Sequence, residues 1–336
     1  MTSTTEPTLR LRYAALSDVG RVRKDNQDSG FAGENLLVIA DGVGGAARGD
    51  VASSTAVQIL RRLDAPPPEN LLEALAGAIH RAHDRIAELV DEDPELEGTS
   101  TTVTAALFDG RRVGIGHVGD SRGYLLRNGE LSQLTKDHTF VQSLIDEGRI
   151  TEEESRSHPH RNLILRAVDG VHETDPDLFT IELVAGDRLL LCSDGCSGVL
   201  DDRRLADILG TGTVDYAVVE LVRASLEAGS TDNVTCVVAD VVEAGAAVDE
   251  ETFAMLRAAS RVSRSGGPRR AAPSAATAPD SAARRAQASG RSRVPPGRRP
   301  ARAAVPPGNS GYHCCTGQAY RRASQRNRKS GLTTIG

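Results

Sequence analysis

Leu36-Leu37-Val38-Ile39-Ala40-Asp41-Gly42-Val43-Gly44-Gly45 is a short apolar run that ends at an aspartate and a glycine cluster. A strand here delivers a carboxylate, and the glycines let the backbone turn tightly and come close to a ligand. Three more aspartates follow or precede a strand, two of them with an adjacent glycine. Asp120 stands in Gly116-His117-Val118-Gly119-Asp120-Ser121-Arg122, Asp194 in Leu190-Leu191-Cys192-Ser193-Asp194-Gly195, and Asp232 in Thr231-Asp232-Asn233-Val234-Thr235. Any one Asp-Gly taken alone reads as turn chemistry. Four aspartates at strand ends can instead converge on one edge of a sheet pair, where they would repel unless cations neutralised them. Oxygen-only ligands select hard cations, Mg(II) or Mn(II), over zinc.

Outward from these points the pattern alternates strands and helices. Residues 9–13 alternate with period two, as a half-buried strand does. Val51 to Leu63 has helical spacing, Pro66-Pro67-Pro68 breaks it, and Leu71 to Val90 restarts a long amphipathic helix. Strands are expected at 101–108, 113–118, 124–127, 179–184, 188–192 and 234–242, with hairpin signals at Asp109-Gly110 and Asn128-Gly129. Helices are expected at 139–147, 162–168, 202–209 and 214–228. Consecutive hairpins, with helices in sets rather than in strict alternation, give an α+β fold with antiparallel sheets.

Composition narrows the function classes. Aromatics make up 3% of the 336 residues and Trp is absent, so Val, Leu, Ile and Ala must fill the core. No run of 18 apolar residues occurs and the first eight residues are polar, so neither a transmembrane helix nor a secretory leader is expected, and the location is cytoplasmic. Five cysteines at irregular spacing do not form a disulfide framework, and Cys192 and Cys196 read as packing residues. Residues 261–336 hold 16 Lys/Arg against Asp280 alone, a segment of +15, which leaves −21 on residues 1–260. That end of the chain is rich in Ala, Pro, Arg, Ser and Gly and cannot bury enough apolar surface to offset its ordering entropy. The expected organisation is a disordered N-terminus at 1–8, a folded domain at 9–245 and a disordered basic tail at 246–336, with one short helix at 247–259. No specific nucleic-acid binding is assigned to the tail.

The motifs Arg23-Lys24-Asp25-Asn26-Gln27-Asp28, Asp41-Gly42-Val43-Gly44-Gly45, Gly119-Asp120-Ser121-Arg122, Ser193-Asp194-Gly195 and Asp232-Asn233-Val234-Thr235 stand in order over residues 9–242. In them the chain resembles the metal-dependent protein phosphatases (PPM, the 2C type), bacterial branch. The resemblance implies a four-layer α-β-β-α sandwich and two or three Mn(II) or Mg(II) ions. It implies hydrolysis of phosphoserine and phosphothreonine on proteins by a metal-activated water, opposing bacterial Ser/Thr kinases, by a monomer. Asp41 would bridge two metals and the Gly42 carbonyl would bind one. Asp194 and Asp232 would hold the other metal, Asp28 would act through water, and Asp120 would serve a weaker third site. Arg23 would grip the phosphate. Many eukaryotic relatives carry His where Val43 stands, so Val43 leaves the general acid open. Residues 146–160 correspond to the flap beside the site.

Two other readings compete. A phosphoprotein-binding adaptor would have lost metal aspartates, and all four are present. A phosphatase for anti-sigma antagonists would carry sensor domains before the catalytic one. His117, His138, His158 and His160 lack zinc-ligand spacing.

Overall fold

The computed structural model describes residues 8–44 and 48–244. The expectations for residues 1–7, for Gly45, for the tail at 246–336 and for a helix at 247–259 lie outside the described residues.

In chain order the elements are β1 (Leu9–Asp18), β2 (Asp28–Ala32), β3 (Leu36–Val43), α1 (Gly49–Leu60), α2 (Leu71–Glu92), β4 (Ser100–Thr101), β5 (Val103–Phe108), β6 (Arg112–Val118), β7 (Arg122–Arg127) and β8 (Glu130–Gln133). There follow α3 (Phe140–Asp146), α4 (Glu152–Arg156), β9 (Asp177–Glu182), β10 (Arg188–Cys192), α5 (Asp194–Ser197), α6 (Asp202–Leu209), α7 (Val214–Glu227) and β11 (Val234–Glu243). One sheet runs β1-β11-β10-β7-β8 and the other β2-β3-β5-β6-β9, with β4 on β3. All the pairings are antiparallel.

The layering follows from period-two sorting of side chains. Along β3, Leu36, Val38 and Ala40 pack with Leu75, Ile79 and Ile86 of α2, whereas Leu37 and Ile39 pack with Leu189, Leu191 and Val237 of the other sheet. Along β11, Val234, Cys236 and Val238 meet Leu205 of α6 and Leu221 of α7, while Val237, Ala239 and Val241 turn to the inter-sheet core. Each central strand is therefore apolar on both faces, which is why these stretches read as continuous runs. Two sheets stacked face to face, each backed by helices, make the α-β-β-α sandwich. The described cysteines, Cys192, Cys196 and Cys236, are free and buried in the α6–α7 layer.

Among the described residues no helix is long and apolar enough to cross a membrane. Residues 162–168, expected as a helix, are not one. Their backbone groups serve neighbouring strips instead: Leu165 N–H donates to His138 O (2.7 Å), Phe140 N–H to Leu163 O (2.9 Å), and Val168 forms a bridge with Thr101. Three short elements, β2, α4 and α5, were not expected.

Candidate metal centre

The β2–β3 ladder sets Asp28 directly opposite Asp41, so two carboxylate residues face each other across adjacent strands. Thr102, fully buried between β4 and β5, fixes the Asp41 peptide: its N–H donates to Asp41 O (2.9 Å) and its hydroxyl accepts from Asp41 N–H (2.9 Å). The next residue must be glycine, because a Cβ on Gly42 would lie 2.2 Å from Gly49 O at the start of α1. That contact brings the Gly42 backbone against Gly49.

Asp194 opens α5 just past the end of β10. Its neighbour Ser193 donates from Oγ to Asp28 Oδ2 (2.8 Å), and Thr235 Oγ1 donates to the same oxygen (2.7 Å). Asp28 Oδ2 is thus held by two hydroxyls, while Asp28 Oδ1 and Asp194 Oδ1 are buried without a hydrogen-bond partner. Asp232 lies just before β11 and meets Arg23 through an Nη2–Oδ2 contact of 2.8 Å. The Arg23 loop is clamped by Asn233, whose Nδ2 donates to Val19 O (2.9 Å) and Asp25 O (3.0 Å) and whose Oδ1 accepts from Gln27 N–H (2.9 Å).

Asp120 follows Gly119, whose φ of +109° is open to glycine. A Cβ at Gly119 would also strike Thr102 Cγ2 at 2.5 Å. Ser121 Oγ pairs with Thr102 Oγ1 at 2.7 Å, which ties the Asp120 turn to the Asp41 strand. Arg122 forks onto Asp137 (2.9 and 2.7 Å). Asp120 and Asp194 line a cleft of about 430 Å³ whose other wall includes Ile145, Arg156 and Arg161. The segment expected as a flap, 146–160, spans the end of α3, a turn and α4, which is fixed by a capping box between Thr151 and Glu154.

The electrostatics follow from burial. Asp41 and Asp120 are pushed well above the ordinary carboxylate range, first by burial and then by neighbouring aspartates. Asp28 is raised by burial, against the two hydroxyl bonds that lower it. Asp194 is pushed up to about 6 by burial, then by Asp232 and Asp28. A protonated Asp41 is placed to donate to either Asp28 or Asp194. Burial and mutual repulsion thus press these carboxylates toward their protonated forms, and a cation is the other way to relieve them.

Two orphaned buried carboxylate oxygens and a donor set made only of oxygen fit a hard divalent ion. Among the described residues no three His, Cys, Asp or Glu side chains are drawn into a ready-made cage.

The structure therefore brings Asp28, Asp41, Asp194 and Asp232 to one floor, with Asp120 beside Asp194 in the cleft and Arg23 at the rim. Val43 is exposed and can transfer no proton. His158 and His160 stand around Phe140, while His117 and His138 are buried together. Sequence reasoning gave no role to Thr102, Ser193, Asn233 or Thr235. Three of them lie inside quoted motifs, which was the available signal; Thr102 followed the Thr101 strand start and gave none.

The family model for protein phosphatase 2C matches residues 18–242. The chain is 52% identical over 237 residues to the serine/threonine protein phosphatase PstP of Mycobacterium tuberculosis, a match that covers 70% of this chain and 46% of that protein. The chain thus spans about half the length of that relative. It is 35% identical over 231 residues to the serine/threonine phosphatase stp of Listeria welshimeri, covering 65% of this chain and 91% of that one. It also superposes, with a TM-score of 0.67 and 51% identity, on the crystal structure of the PstP catalytic domain in complex with two manganese ions, covering 70% of this chain and all of that one (100%). By sequence and by fold, the chain belongs to the protein phosphatase 2C family, the PPM type, in its bacterial Ser/Thr phosphatase branch.

Proposed function

We propose that the chain hydrolyses phosphoserine and phosphothreonine monoesters on proteins, in opposition to Ser/Thr kinases, with two or three Mn(II) or Mg(II) ions. The observation that carries this reading is the buried carboxylate floor with two orphaned oxygens beside one guanidinium fork. Asp41, the Gly42 carbonyl, Asp194 and Asp232 would hold two ions, Asp28 would act through water, and Asp120 would serve the third. When bound, such ions supply Lewis-acid charge and a water acidified toward neutral pH.

The chain's own residues supply position and charge. Thr102 and the Gly42–Gly49 contact hold the Asp41 carboxylate at a fixed height. Arg23 engages Asp232 through Nη2. Its planar fork suits two phosphate oxygens and can stabilise charge that spreads over them during in-line displacement. The cleft of about 430 Å³ next to Asp120 and Asp194 gives the peptide flanks a place to lie against α3 and α4. Val43 supports no proton transfer, so the leaving oxygen must take its proton from another donor.

The test is phosphate release from a phosphothreonine peptide in Mn(II), beside EDTA and Asp194→Asn. Metal-dependent turnover lost in both controls supports enzyme and site together. No turnover by folded protein in Mn(II) or Mg(II) sinks the reading.

A further inference from the structure

The buried histidines are not a zinc pair; one of them grips the Asp120 turn. His138 N–H donates to Gly119 O (2.7 Å), and Gly119 N–H donates back to His138 Nδ1 (3.1 Å). Both amides of a two-residue bracket are thereby satisfied, and Nδ1 must be bare of hydrogen to accept. The imidazole proton is then on Nε2, which donates to Asp177 Oδ2 (3.1 Å). Asp177 opens β9 and is itself held by Arg166 Nη1 at 3.1 Å, in the strip that follows the flap along the chain. On the other side, His117 lies 4.8 Å from His138 between ring centroids, with its own Nε2 on Lys136 O (3.1 Å) and Nδ1 on Thr104 (2.9 Å). His138 is 3% exposed, so it cannot rotate away without emptying its niche.

We propose that His138, oriented by Asp177, is the positioning residue that sets the Gly119–Asp120 turn and with it the affinity of the weakest cation site. The inference rests on Asp120 serving that site. Ser121 fastens the far side of the turn through Thr102 and Thr104, whereas the Gly119 side, at positive φ, is held by these two bonds and its contact with Thr102. A partner one shell outside a metal ligand typically governs affinity by roughly 10–100-fold. The chain from Arg166 through Asp177 and His138 also joins that site to the strip after the flap, since Leu165 N–H donates to His138 O at 2.7 Å.

The full chain is titrated calorimetrically with Mn(II) as wild type, His138→Leu, His138→Asn and Asp177→Ala, with backbone amide exchange followed over residues 117–122. Asn presents its oxygen near the place of Nδ1 and so can still accept from Gly119. The expected result is a weakest site about tenfold weaker in His138→Leu, restored to within about threefold in His138→Asn, with the tighter sites unchanged. Gly119 exchange should quicken in the Leu variant and recover in the Asn variant. Should His138→Leu fail to fold, Asp177→Ala carries the test through a several-fold loss at the weakest site alone.

Equal weakening of every site, no rescue by Asn, or an unchanged weakest site in folded Asp177→Ala would each overturn the proposal. A wild-type protein with only two Mn(II) sites would instead remove the third-site reading of Asp120, and the Gly119 exchange comparison would then decide the clamp by itself.

Discussion

Replacing Asp194 by Asn should make the metal-free protein more stable, although it removes a carboxylate from the proposed catalytic floor. Burial and the neighbouring Asp232 and Asp28 lift Asp194 from an ordinary 3.8 to about 6. At pH 7.5 without metal the folded protein must nevertheless keep it ionised, at a cost of about 3 kcal/mol. The sign follows from proton counting. Between pH 3.8 and about 6 the folded state keeps a proton that the unfolded state has released, so stability falls as pH rises through that window and stays low above it. Asn is neutral throughout and escapes the loss, and it keeps an oxygen that can still accept from Asp41.

For a domain of this size about 3 kcal/mol corresponds to roughly 6–12 °C in Tm. Thermal unfolding in EDTA should therefore place Asp194→Asn above wild type by that margin at pH 7.5, and the gap should close toward pH 4. In Mn(II) the gap should nearly close at a free metal concentration of one hundred times Kd, where wild type gains about 2.7 kcal/mol, and reverse at one thousand times Kd, where it gains about 4.1 kcal/mol. A variant less stable than wild type in EDTA, or a gap that does not change with pH, would refute the electrostatic account.

Other substitutions probe the remaining parts. Arg23→Ala should lower kcat/KM for a phosphothreonine peptide by at least about tenfold, with the loss shrinking at high substrate if the fork serves binding alone; a fully active variant would remove Arg23 from phosphate recognition. Gly195→Ala should unsettle the floor, because its Cβ would sit 1.9 Å from Asn233 O; a Tm lowered by several degrees and weakened Mn(II) binding are expected in differential scanning calorimetry and titration, and a normal pair of values would mean that the backbone yields easily. Deleting residues 149–159 should change preference among phosphopeptides and leave Mn(II) titrations unaltered, since that segment lines the cleft without reaching Asp28, Asp41 or Asp232; unchanged preference would take recognition away from the flap.

The strands that carry the aspartates were legible because each is apolar on both faces and stops at a polar residue. What sequence could not supply was pairing across long separations. Arg23 and Asp232 are 209 residues apart, and the contact between them depends on β11 lying beside β1. β2 escaped notice because Asp28-Ser29-Gly30-Phe31-Ala32 is short, half exposed and interrupted by glycine. The segment 162–168 has Leu163, Ile164, Leu165 and Val168 spaced as a helix face would be, yet Leu163 and Leu165 are exposed and the backbone hydrogen bonds leave the segment. Local apolar spacing lost there to bonds with the strips at Thr101 and His138–Phe140.

β1 has a single strand neighbour, β11, with Leu9 set against Glu243. The first strand made is therefore kept waiting for the last. At ordinary rates of protein synthesis, about 5–20 residues per second, that delay is on the order of 10–45 s. Throughout it, Asp232 and Asn233 have not yet arrived, so the loop that carries Arg23 lacks the Asn233 clamp. A nascent chain that lacks β11 therefore lacks both Asp232 and the clamp on the Arg23 loop. The carboxylate floor is complete only once β11 lies between β1 and β10.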